Sequence, residues 1–179
     1  VLPEESNRLL EKGMHHNPQE WRLPFLLAIN LYFEIGDDKQ AAEAMAKAAS
    51  LPGAPDGLAR LAAKLFVSAK SPQQAVDFLA KVYADTTDQH LKPLLEIRLK
   101  ESIIERDLQL LEEALSRYQN KYSRRPSRLE DLVGPGLLRA LPDEPFGGGY
   151  LYEPATGTVR SSEVKEGMRI PVHRRTQYE

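Results

Sequence analysis

Four histidines, an aspartate-glutamate pair and a triglycine run are the residues in this 179-residue chain whose types could support catalysis or ligand capture. His15 and His16 are neighbours, so on a helix their side chains diverge by about 100°, and they cannot share one metal ion as residues four apart do. His90 and His173 lie far away in sequence. Solvated imidazoles are expected, and no metal site. Asp143 and Glu144 stand between Pro142 and Pro145 with no apolar stretch to raise a carboxyl pKa for acid catalysis, so both are expected in solvent. Gly147-Gly148-Gly149 precedes a tyrosine-rich segment and lacks the Gly-Lys-Ser or Gly-Lys-Thr helix start of a phosphate loop; it reads as a turn. With no cysteine, disulfides, thiolate catalysis and cysteine zinc sites are excluded. No nucleophile-base pair emerges. A noncatalytic protein without a cofactor is expected.

The strongest charge feature is cationic: Arg117, Lys121, Arg124, Arg125 and Arg128 follow one another with no acid between Ala114 and Leu129. Such a patch suits anionic lipid headgroups or an acidic partner, and it equally suits a solvated helix end, where cations favour the dipole. The net charge of -2 supplies no global field for nucleic acid, which is not expected as a partner. Hydrophobic residues make up 41% and charged residues 28%, and no run approaches the roughly 18 apolar residues of a membrane span.

The elements that must position these residues begin with a repeat. Ala28 and Ala62, Tyr32 and Phe66, Ala41 and Ala75, Met45 and Leu79, and Ala48 and Val82 each differ by 34 positions. Small residues recur where packed helices approach closely, and large ones where they fill the space between. Gly36-Asp37-Asp38 and Ser71-Pro72 supply the turns, which predicts helices over about 22–35 and 38–50, then 56–69 and 72–84. Ser6, Leu10, Gly13 and Pro18 read as the second helix of a preceding unit.

This period and pattern resemble the tetratricopeptide repeat, whose helix pairs stack because one pair cannot bury its own face. Gly36 matches the family's turn glycine; Lys70 replaces it in the second unit. The resemblance implies an α-solenoid whose first helices line a concave groove, with Leu23, Leu26, Asn30, Phe33 and Glu34, then Arg60, Lys64 and Val67, on the inner face. Leu26 and Phe33 beside Arg60 and Lys64 would suit a peptide of some acidic character. Alternatively, Leu23, Leu26 and Phe33 face a neighbouring helix, and Arg60 and Lys64 are merely solvated. The carboxylate clamp of some family members is not expected, because Leu26 and Leu61 occupy its polar positions.

Between Leu94 and Tyr122 there is no glycine or proline, and Ile97, Ile104, Leu111 and Tyr118 recur every seven residues. One long amphipathic helix, or two abutting ones, is expected here, to cap the repeats or to form a homodimer through this stripe. Beyond it, Ser127 with Glu130 reads as a capping box. Tyr150 to Glu153 and Thr158 to Ser161 read as strands of a hairpin about Pro154-Ala155-Thr156-Gly157. From Leu108 to Ser162, the tyrosine-ended helix, the Leu129-Glu130-Asp131-Leu132 turn, the Pro145-Phe146-Gly147 step and the tyrosine-rich hairpin resemble the globular end of type II secretion pseudopilins. That family's calcium loop and amino-terminal methylation segment have no counterpart in these residues.

The expected fold is mainly α: tetratricopeptide-like stacked hairpins, a long capping helix and a small helix-plus-hairpin appendix. The expected division is residues 1–106 for the repeats (half repeat 4–18, repeats 22–53 and 56–87), 107–162 for the appendix and 163–179 for a flexible tail. The chain starts at Val1 with no signal-peptide pattern, which suggests a trimmed amino-terminal end that carried a signal or anchor. The whole resembles bacterial tetratricopeptide proteins ending in a pseudopilin-like module, which implies a periplasmic or envelope location. Lack of cysteine does not separate cytosol from periplasm. The expected function is a protein-binding scaffold that takes a peptide or protein partner in the groove; the alternative is an assembly protein that self-associates through the 94–122 helix.

Overall fold

The computed structural model describes residues 2–164. The expected tail, from residue 165 onward, lies outside them. The described chain is mainly helical, with six α-helices and a two-stranded antiparallel sheet at its carboxy-terminal side. It divides into two compact units, residues 2–85 and 86–164. The boundary expected at 106/107 falls inside one continuous helix, because nothing between Leu94 and Tyr122 interrupts the backbone hydrogen bonds.

The first unit is a succession of helices in which each packs on the next: α1 (Pro3–His16), α2 (Arg22–Asn30), α3 (Asp38–Ala49), α4 (Gly57–Ser68) and α5 (Pro72–Asp85). Helix α2 runs on into a π turn, Leu31–Ile35, and stops at Gly36, whose φ of 82° only glycine adopts without strain. The Gly36 and Asp37 amides both donate to the Leu31 carbonyl, at 2.8 and 3.0 Å. Asp37 then caps α3 by accepting the Gln40 amide at 2.9 Å, which holds its carboxyl below the ordinary value. The 34-residue spacing reappears as matched burial. Ala28 and Ala62, Ala41 and Ala75, and Met45 and Leu79 are all sealed from solvent. Alanine at the first two pairs removes the side-chain bulk that would hold neighbouring helices apart.

The second unit is built on α6 (Leu91–Tyr122), 32 residues long. Its face of Leu111, Ala114, Leu115 and Tyr118 packs with Leu129, Leu132, Leu138 and Val159 into one core. Leu129 and Leu132 come from a 3-10 turn, Leu129–Leu132. The capping expected from Ser127 and Glu130 is made differently. Asp131 accepts the Ser127 and Arg128 amides at 2.9 and 3.2 Å, because the chain enters the turn at an extended Arg128, one residue later. Strands β1 (Tyr150–Glu153) and β2 (Thr158–Ser161) fall where the sequence predicts, with Tyr150 opposite Ser161 and Glu153 opposite Thr158.

The heptad stripe is only partly a surface. Ile97 is exposed, but Ile104, Leu111 and Tyr118 are buried. Leu111 and Tyr118 are covered by the chain's own turn and hairpin, so this stretch is not available as a seam between two copies.

Candidate functional site

Large apolar side chains of the first unit are exposed at α1, where Leu2 and Leu9 are open, and on α2 with its π turn. Leu26 on α2 and Phe33 on the π turn are 47% and 57% exposed; Ile35 follows at 42%. Phe33 stands edge-on to Tyr32, ring centroids 4.9 Å apart, which holds the ring out from the helix. The π turn under these residues is a geometry that recurs at functional positions because it redirects side chains. Glu34 is also exposed.

The other residues expected on this face divide. Asn30 lies between Leu26 and Phe33 in sequence, yet its amide donates to Ser6 Oγ and Asn7 Oδ1, both at 3.1 Å, so α1 occupies it. Leu23 is half-buried: a Cβ on Gly13 would stand 3.4 Å from its Cδ1, so α1 covers this position too. Val67 is buried rather than open. Arg60 is exposed and Lys64 half-buried, four residues apart on α4, and neither forms an ion pair among the described residues. The ends of α2 and α4 meet around an open cavity of about 550 Å³, where Ile35 and Asp37 face Ser68 and Lys70.

The cationic run of the second unit is broken up by local structure. Arg117 donates to the Leu137 carbonyl at 3.3 Å, Arg128 pairs with Asp131 at 3.3 Å, and Arg125 donates to the Ala155 carbonyl in the hairpin turn. Arg125 also packs against Gly157, where a Cβ would meet its Nε at 2.9 Å. Lys121 and Arg124 lie over the Tyr122 and Tyr118 rings, 5.3 and 5.9 Å from the centroids. The five cations are therefore not one free patch. Arg117 ties α6 to the segment after the 3-10 turn, Arg125 ties the residues after α6 to the hairpin, and Arg128 pairs locally at the 3-10 turn, while all five remain exposed.

Among the described residues three carboxylates are buried, Glu105, Asp107 and Glu144, and the last two join separate elements. Glu144, expected in solvent, is buried; its Oε2 accepts the Phe146 and Gly148 amides at 2.8 and 2.9 Å, and its Oε1 accepts the Ser161 hydroxyl at 3.0 Å. A carboxylate immediately before a glycine-rich turn was the available signal, since such a side chain accepts turn amides. The triglycine run is thereby filled, because Gly149 N-H also donates to Ser162 Oγ at 3.0 Å. Asp107 is 2% exposed, paired with Arg106 at 2.8 Å and accepting the Tyr150 hydroxyl at 2.9 Å. Burial, and then this hydrogen bond to Asp107, push the Tyr150 phenol well above its ordinary value. Through these bonds Asp107 ties α6 to β1, and Glu144 ties the 144–149 turn to β2.

His15 and His16 are exposed, with rings 6.2 Å apart. Among the described residues no three His, Asp or Glu side chains are grouped to hold a metal ion, and no helix is long and apolar enough to cross a membrane. No protein-family model, curated protein or solved structure matches this chain.

Proposed function

We propose that this protein is a noncatalytic adaptor. Its first unit, a tetratricopeptide-like run of helix hairpins, takes a peptide or protein partner on the ledge of Leu26, Phe33 and Ile35, with Arg60 and Lys64 drawing acidic residues of that partner. The observation that carries the reading is the exposure of Phe33. A phenylalanine and two aliphatic side chains left open on α2 and its π turn, in a unit whose repeat alanines Ala28, Ala41, Ala62 and Ala75 are fully buried, form the kind of apolar anchor around which interfaces are built. The second unit, which resembles the globular end of pseudopilins, serves as an attachment module at the bacterial envelope. The partner is a protein or peptide; nucleic acid and cofactors have no part in this reading.

The test is site-specific photocrosslinking. With benzoylphenylalanine in place of Phe33, ultraviolet irradiation yields one defined adduct, whereas the same probe at the exposed Glu43 of α3 does not. Equal labelling from both positions contradicts the assignment of the ledge.

A further inference from the structure

In the two-stranded sheet, one edge of β1 is paired and the other, among the described residues, is not. The Ser162 amide donates to the Gly149 carbonyl at 2.9 Å, which makes Gly149 and Ser162 a hydrogen-bonded pair. With Tyr150 opposite Ser161 in antiparallel register, alternation makes Leu151-Arg160 the next such pair. The main-chain N-H and C=O groups of Tyr150 and Tyr152 therefore point away from β2. This free edge borders a cavity of about 470 Å³. Tyr150, Leu151 and Tyr152 all line it, and residues of both parities reach one cavity only at a strand's edge. Leu111, Leu129, Leu141 and Pro142 also line it, together with the polar Ser127, Arg128 and Glu130. No described backbone group of these residues pairs with β1.

We propose that the β1 edge is a strand-addition site, which binds an extended segment of four to six residues from a partner protein as a third strand. A row of donors and acceptors at strand spacing beside a trench of mixed apolar and polar lining is complementary to an extended polypeptide. Alternate side chains of the guest enter the trench between Tyr152 and Leu141, and its main chain pairs with Tyr150 and Tyr152. A second copy of this chain is not the occupant. The edge is four residues long, ~13 Å, and two such edges bury far less than the roughly 1,200 Å² of a stable interface. A flexible segment that fills the trench lengthwise has no such requirement. This site is independent of the Phe33 ledge.

Amide hydrogen exchange of the full chain by NMR tests it, with the acetylated hexapeptide Lys-Val-Thr-Val-Thr-Val as probe. In the free protein, Tyr150 and Tyr152 amides exchange faster than that of Leu151. At saturating peptide they slow by about tenfold or more, the protection expected at ~90% occupancy, while Leu151 is unchanged. The same peptide methylated on every amide nitrogen produces no slowing. The proposal is overturned by any of three results: Tyr150 and Tyr152 already as slow as Leu151 without peptide, no slowing with it, or equal slowing by the methylated peptide.

Discussion

Gly36 and Lys70 lie 34 residues apart and share a left-handed backbone, with φ of 82° and 55°. Each ends the first helix of its hairpin and hands the chain to the second, so the repeat is expressed in backbone angles as well as in burial. Glycine takes this conformation freely. Lysine carries a Cβ penalty there.

Replacing Lys70 by glycine should therefore stabilise the protein by about 0.5–1 kcal/mol, and Gly36→Ala should cost about 1 kcal/mol or more. Urea denaturation followed through Trp21 fluorescence reports both. A destabilised Lys70→Gly variant would mean that the lysine side chain supplies contacts outweighing the strain.

Glu144 joins the 144–149 turn to β2, and its removal leaves the Phe146 and Gly148 amides and the Ser161 hydroxyl without their acceptor. Glu144→Ala should cost about 2–4 kcal/mol, and Glu144→Gln less, because an amide oxygen can still accept. Tyrosine near-ultraviolet circular dichroism during denaturation measures the loss in the second unit.

The raised Tyr150 phenol predicts an alkaline limit. A group whose folded pKa lies above its ordinary value near 10 favours folding at lower pH, and that contribution erodes as pH rises past 10. Spectrophotometric titration should show Tyr150 ionising only as the second unit unfolds. Tyr150→Phe removes that late step and flattens the alkaline fall in stability.

The assembly alternative makes an opposite forecast for the α6 stripe. Because Leu111 is fully buried in the chain's own core, Leu111→Ala should lose roughly 2–5 kcal/mol of stability. Light scattering should find its mass unchanged from wild type. A dimer that dissociates in this variant while the fold survives would return the stripe to the role of a seam.

Helices, turns and hairpin were legible in the sequence because they follow from local rules: a 34-residue recurrence of alanines, Gly36 and Ser71-Pro72 at the turns, and tyrosine-rich strands about Pro154 to Gly157. The boundary between units was not, since packing divides the chain before α6 and no residue between Leu94 and Tyr122 marks a break. On the candidate ledge, Leu26 and Phe33 were readable from the repeat register, whereas the capture of Asn30 by Ser6 and Asn7 required knowing which helix lies alongside. The burial of Glu144 was not readable for the same reason. Charged residues were assigned to solvent by default, and the turn amides and carbonyls that receive them become neighbours only after folding.

The most direct test of the adaptor reading is affinity capture from a bacterial envelope fraction, followed by a titration of the captured protein against wild type, Phe33→Asp and Leu26→Asp. Loss of an apolar anchor and burial of a carboxylate at the ledge should weaken binding by more than about tenfold in each variant, with the helical circular dichroism unchanged. A partner bound equally by all three proteins would contradict the claim that the α2 ledge is the binding surface.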